Sequence, residues 1–299
     1  IRDEKLVILT TMGAVYENKP FAYQVVQGEK VEVPCRYVIK DGIVSFEIGK
    51  YNKKQTLIID PTLIFASYSG STADNFGMTA TYDNGGHLYA GGTAYSIGYP
   101  TTLGAYQTTT TTNGSSYGVT DAAISKFSPD GSTLVYSTYL GGGTATGGTE
   151  TLHSLIVNDQ DELYMFGVTS SSDFPTTSTA YDKTFNGGSF LGFMQNGTYF
   201  SAGTDIFVSK FNSTGTALIG STFIGGSGND GVNYNKNYLS GSYWISNYDS
   251  LQYNYGDQFR GEIMIDADGN CYVATTTKSS DFPVKNAMQP TFGGSQDAV

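Results

Sequence analysis

At 299 residues, the chain is long enough to bury a substantial core as one large domain or two smaller ones. Only 14% of its residues are charged, while Gly (38), Tyr (23) and Phe (17) are abundant, a balance that suits short strands and tight turns better than helices. The net charge of -11 argues against a nucleic-acid binder, which needs clustered Lys and Arg, and two cysteines, Cys35 and Cys271, are too few for a disulfide framework.

In chain order, residues 1–60 read as a β-rich segment, the end of a larger β domain. Val31 to Ile39 and Ile43 to Ile48 flank Asp41-Gly42, a pair that accepts the positive φ of a type I′ hairpin turn. The segment closes on the apolar run Leu57, Ile58, Ile59. The first residue is Ile1 rather than a start methionine, so a processed product or a piece of something longer is expected.

Residues 61–299 carry a repeat with rigid and elastic intervals. Tyr89, Tyr164 and Tyr272 each precede Pro100, Pro175 and Pro283 by 11 residues, and Asp121 and Asp205 precede Gly141 and Gly225 by 20. Four strand-like blocks recur. The first is Leu155 to Asp159, matched by Ile263 to Asp266 and by Met78 to Tyr82. The second is Leu163 to Thr169, matched by Leu88 to Ala94 and Cys271 to Thr277. The third is Asp205 to Phe211, matched by Asp121 to Phe127. The fourth is Leu134 to Gly142, matched by Leu218 to Gly226 and by Leu63 to Gly70.

Short Asp/Asn/Gly turns join the first block to the second and the third to the fourth. Four antiparallel strands repeated in this way predict a β-propeller built from four-stranded blades, of which about three blades' worth is visible. The chain enters the repeat on a fourth strand and stops at Asp297-Ala298-Val299, the opening of a third strand. Further strands would then complete the first blade and close the ring. In such a meander all elastic intervals fall at one end of the strands, so insertions crowd one face, where binding loops sit on rigid scaffolds.

The strings SKFSPDGSTLVYSTYLGG, LYMFGVTSSSDFPTT and DIFVSKF closely resemble the bacterial β-propeller repeat known as the SBBP repeat. The preceding LIIDPTLIFASYSG is similar to the end of the β domain that often sits before such repeats. The resemblance covers nearly the whole chain. It implies a large secreted or surface-exposed protein of Gram-negative, gliding bacteria, exported as a type IX secretion cargo, and it brings no catalytic signature. The chain departs from the pattern in its long insertions and in Thr275, where Gly92 and Gly167 stand in the other copies.

A search for chemistry yields little. There is no HExxH, CxxC or His/Cys cluster for zinc, and no apolar run of the ~18 residues needed to cross a bilayer. His87 and His153 read as solvated or edge positions. Gly114-Ser115-Ser116-Tyr117-Gly118 matches GxSxG but lies in a Ser/Thr/Gly loop, and Gly141 to Gly148 lacks the Lys-Ser/Thr of a phosphate loop. Asp266-Ala267-Asp268-Gly269-Asn270 hints at calcium, yet a hairpin turn explains it without a ligand, and the same holds for Asp159 and Asp161. No catalytic or metal residue is assigned, and no cofactor is expected.

The insertion Ser227 to Phe259 offers the ligand-binding candidates Tyr234, Tyr238, Tyr243, Trp244, Tyr248, Tyr253 and Tyr255, interleaved with Asn, Ser and Gly. Aromatic faces with polar tips suit a surface glycan or protein ligand. The same aromatics could instead pack the loop onto the scaffold. The leading expectation is a non-enzymatic surface or secreted module for adhesion. The alternatives are an extracellular carbohydrate-active enzyme, whose paired carboxylates would converge on the loop face, and a structural spacer of a large surface protein.

Overall fold

The computed structural model describes all residues except 3, 11–12, 61–63, 111–117, 144–147, 194–196, 235–238, 241–243 and 246–255; the side chains of 10, 13–16, 239–240 and 244–245 are likewise left undescribed. The described chain is all-β, without a helix, and divides into two units, Ile1–Ala66 and Ser67–Val299.

The first unit holds β1 (Leu6–Thr10), β2 (Gly13–Glu17), β3 (Phe21–Val26), β4 (Glu29–Val33), β5 (Cys35–Lys40), β6 (Ile43–Ile48) and β7 (Ile58–Asp60). They pair as β1-β2, β4-β3-β7 and β5-β6. Asp41 (φ 52°) and Gly42 (φ 77°) form the predicted hairpin turn, and Gln27 (φ 53°) with Gly28 (φ 90°) makes a second one between β3 and β4. The continuous strand expected from Val31 to Ile39 breaks at Pro34. Proline has no N–H for the ladder, so β4 turns to β3 while β5 turns to β6. Ala22, Val33 and Cys35 form the small core of this unit.

The second unit contains β8 (Asn75–Tyr82), β9 (Leu88–Ala94), β10 (Asp121–Phe127), β11 (Leu134–Leu140), β12 (Glu150–Val157), β13 (Leu163–Thr169), β14 (Leu191–Phe193), β15 (Thr198–Phe200), β16 (Asp205–Phe211), β17 (Leu218–Ile224), β18 (Leu239–Ser240), β19 (Trp244–Ile245), β20 (Glu262–Ile265), β21 (Cys271–Ala274), β22 (Thr276–Thr277) and β23 (Asp297–Ala298). Two four-stranded antiparallel meanders result, β8-β9-β10-β11 and β12-β13-β16-β17. A third set has β20 on β21 and β22 on β23. Among the described residues no closed ring of sheets is present.

The register explains the motifs. Lys126 faces Tyr89 and Lys210 faces Tyr164 across the sheet, and each ammonium lies 4.7 Å from the centre of that ring. The serines before them pair with the facing strand's serines, Ser125 with Ser137 at 2.8 Å and Ser209 with Ser221 at 2.9 Å. The three first-to-second-strand turns share one geometry, with Gly86, Asp161 and Gly269 all at positive φ (83°, 61° and 81°). Each turn is capped by its first residue, Asp83, Asn158 or Asp266, which accepts backbone N–H groups from later in the turn. Asp266, the hinted calcium ligand, receives the N–H groups of Asp268 and Asn270 and the Tyr272 hydroxyl.

The cores lie between successive sheets. Tyr89, Ile124, Leu140, Leu152, Leu163, Met165, Phe207 and Phe223 share one cluster. Tyr164, Phe166, Ile206 and Ile263 share the next, so β12-β13-β16-β17 is covered on both faces and every residue of β13 is buried. Each large apolar side chain so placed contributes ~1.5–3 kcal/mol.

Two expected strands turn out differently. The Leu63 to Gly70 copy forms no strand over 64–70, and Tyr68 is 96% exposed; among the described residues no strand is hydrogen-bonded beside it. Cys271 to Thr277 is interrupted at Thr275. A Cβ on Gly92 would stand 2.0 Å from the Phe76 carbonyl oxygen, and one on Gly167 2.3 Å from that of Thr151. Thr275 carries that Cβ, so the same close approach to the neighbouring strand is denied to it, and β20 pairs only as far as Ala274.

Candidate functional site

Two kinds of place stand out in the second unit: the joints between successive sheets, and the region where their first strands and the insertions meet.

At the joints, the sequence ThrxSerxAspPhePro works as a strap. Glu150 opens β12 and accepts hydrogen bonds from the Thr169 hydroxyl (2.6 Å), the Ser171 hydroxyl (2.5 Å) and the Gly142 N–H (3.2 Å). At the next joint Asp230 accepts from the Thr277 hydroxyl, the Ser279 hydroxyl (2.8 Å) and the Gly226 N–H (2.7 Å). The strap's own aspartates take the following N–H groups, Gly143 to Asp173 at 2.6 Å and Ser227 to Asp281 at 2.8 Å.

Each joint acid faces a second one across a glycine. A Cβ on Gly141 would lie 2.4 Å from Asp121 Oδ1 and 2.7 Å from Glu150 Oε2, and one on Gly225 would lie 2.5 Å from Asp205 Oδ1 and 3.0 Å from Asp230 Oδ2. All four carboxyl groups are buried. Burial, and then the Asp121 charge, push the Glu150 carboxyl well above the usual carboxylate range. Burial and the charges of Asp230 and Asp182 push Asp205 up to about 7, against the N–H groups of Asn186 and Gly187 that it accepts. Burial raises Asp230 too. Hydroxyl and N–H donors surround these acids, and among the described residues no group of three or more His, Cys, Asp or Glu is placed to hold a metal ion.

The second place begins with a bulge. β8 bulges at Met78 between Gly77 and Thr79, and β12 bulges at His153 between Leu152 and Ser154, at the same point of the register. In the third copy the corresponding stretch is Arg260-Gly261-Glu262, at the start of β20. The three stretches line one pocket of about 380 Å³ together with Gly256 and Phe259. Ser154 donates to Glu262 Oε1, and the Arg260 guanidinium binds Asp257.

His153 was expected at a solvated or edge position just before a strand. It lies instead inside β12, which starts five residues earlier than predicted, and it is only 7% exposed. Its ring stands edge-on to Phe166 (5.1 Å between centres) and beside Phe259 (5.8 Å). Nε2 is 3.3 Å from the Thr151 hydroxyl, and Nδ1 has no hydrogen-bond partner among the described residues. Burial holds the imidazole down to about 3, so it is neutral at physiological pH. His87 is partly exposed, with Nδ1 3.0 Å from Asp83. Asp83 is held at about 2: burial opposes its ionisation, but hydrogen bonds from the His87 N–H and from buried Lys126 outweigh that cost.

The two long insertions meet. β14 and β15 lie between β13 and β16, β18 and β19 lie between β17 and β20, and the four form one sheet in the order β15-β14-β19-β18. The junction is a parallel pairing of Gly192 with Trp244 and Phe193 with Ile245. Beneath it, Leu191, Phe193, Phe200, Val232, Tyr234 and Phe259 pack with Val168 and against Met78, a pocket residue.

Of the predicted ligand-binding residues, Tyr234 is buried, accepts a hydrogen bond from Asn229 Nδ2 (3.0 Å) and lies under the Lys278 ammonium (4.1 Å). Trp244 contributes its backbone to β19. Tyr238, Tyr243, Tyr248, Tyr253 and Tyr255 lie outside the described residues, as do Gly114 to Tyr117 of the GxSxG match. Asp159 and Asp161 sit in the turn before β13, where Asp159 accepts from Asn84 Nδ2 at 3.0 Å.

Residues 1–62 match the model of a domain of unknown function, DUF7948. This match falls within the first unit and names no activity. No curated protein matches the chain.

Proposed function

We propose that the chain is a non-enzymatic surface or secreted binding module, a run of β-propeller blades of SBBP type that contacts its ligand through the insertion face. The two meanders, stacked face to face with a shared register, support the blade reading. The observation that carries the functional reading is the sheet β15-β14-β19-β18: insertions from two different connections, paired at Gly192 and Trp244, 52 residues apart in the chain, converge on one platform. Separate loops that build one surface on a rigid scaffold are the arrangement binding sites use. The ligand is a cell-surface glycan or protein, and export follows the type IX route that the sequence resemblance implies.

The test replaces residues 235–255 by a short Gly-Ser linker and compares binding of the two proteins to a glycan array and to intact bacterial cells. The full chain binds and the shortened one does not, while both unfold at similar temperature. Binding by neither, or equal binding by both, would overturn the reading and favour a structural spacer.

A further inference from the structure

We propose that the pocket where the three first strands meet holds a single hexose or N-acetylhexosamine unit. The proposal rests on the binding-module reading for its place beside the insertion platform, and it adds the ligand class and the residues that receive it.

The first observation is how the copies differ. Residues that join the sheets recur between the second and third copies: Thr169 and Thr277, Ser171 and Ser279, Asp173 and Asp281. At the pocket the equivalent positions diverge, with Thr79, Ser154 and Glu262 at one and Met78, His153 and Gly261 at the next. A shared bulge therefore presents a different group from each strand to a common space. Bulges re-aim side chains in this way beside functional sites.

The second observation is the chemistry of those groups. Glu262 offers carboxylate oxygens, Thr79 and Ser154 offer hydroxyls, and the Arg260 guanidinium is a fixed fork of N–H donors. His153 is neutral and lines the pocket with its Nδ1 buried, so it adds no charge there. Arg260 is already neutralised by Asp257, so the pocket holds no surplus positive charge for a phosphate. A single carboxylate beside a guanidinium does not make a cation site. What remains is a neutral ligand rich in hydroxyls, each able to donate and accept. The volume of about 380 Å³ lies at the small end of ligand pockets, which fits one sugar ring rather than a chain.

The chain has only two histidines, which makes the test direct. In ring ¹H–¹⁵N spectra of histidine-labelled protein, His153 reports the pocket and His87, hydrogen-bonded to Asp83, serves as internal control. Glucose, galactose, mannose and N-acetylglucosamine are titrated separately into the millimolar range. At least one shifts the His153 resonances saturably and leaves those of His87 in place. Glu262→Gln and Thr79→Val each weaken that response, the former by about tenfold, as expected for losing a hydrogen bond to a charged acceptor.

No shift with any of the four sugars, equal shifts at both histidines, or an undiminished response in both variants would overturn the proposal. If the pocket is silent while binding that depends on 235–255 persists, this inference falls and the binding-module reading stands. If the sugar response survives while no surface binding is found, the opposite holds.

Discussion

The joints and the pocket belong to the same unit and are built from the same repeat, yet they use it in opposite ways. At the two joints the second and third copies supply the same hydroxyls and the same strap aspartate, over a carboxyl pair closed on a glycine. At the pocket the copies share a backbone feature, the bulge, and differ in nearly every side chain. The lesson is physical. A joint fails if any member is missing, because buried polar groups left unpaired cost ~1–3 kcal/mol each, whereas a bulge tolerates whatever its cavity can hold.

Glycine substitution breaks the comparison most sharply. In Gly141→Ala the new methyl enters the gap between Asp121 and Glu150, so overpacking beside two buried carboxyl groups should cost ~3 kcal/mol. In Gly77→Ala, at the pocket bulge, a Cβ meets nothing within 4 Å, and denaturant unfolding should show a change within ~0.5 kcal/mol. Equal losses in the two variants would mean that the joint is no tighter than the bulge.

A smaller effect comes from pH. Folded Asp205 keeps its proton up to about 7, whereas an unfolded aspartate loses it near ~4. The folded state therefore binds more protons in between, and this contribution to stability is full below ~4 and lost as pH rises towards about 7. Asp83 acts in the opposite sense and lower down, its contribution fading as pH falls from ~4 towards about 2. Unfolding followed from pH 4.5 to 8 should show a decline of ~2 kcal/mol that Asp205→Asn flattens. A flat profile in the unaltered chain would show that the Asp205–Asp230 pair holds no proton.

Much of the scaffold was legible in the chain itself. The Tyr-to-Pro interval of 11 holds because Tyr89 and Tyr164 sit opposite the lysines while the strap that follows runs to Pro100 and Pro175. The Asp-to-Gly interval of 20 holds because Asp121 and Asp205 pack beneath Gly141 and Gly225. The other half of each carboxyl pair was hidden: Glu150 lies nine residues past Gly141 and Asp230 only five past Gly225, and the residue type changes. His153 was misplaced because the β12 pattern is broken by its bulge, which shifts the alternation by one residue. The pocket was invisible, since its groups come from three strands more than 70 residues apart from first to second and more than 100 from second to third.

The central claim is that joints carry stability and the pocket carries binding, and one paired measurement tests it: unfolding temperature and the His153 sugar response, both recorded on Gly141→Ala and Glu262→Gln. The account predicts that Gly141→Ala lowers the unfolding temperature and keeps the response, while Glu262→Gln keeps the temperature and weakens the response about tenfold. Both properties falling together in either variant would contradict it.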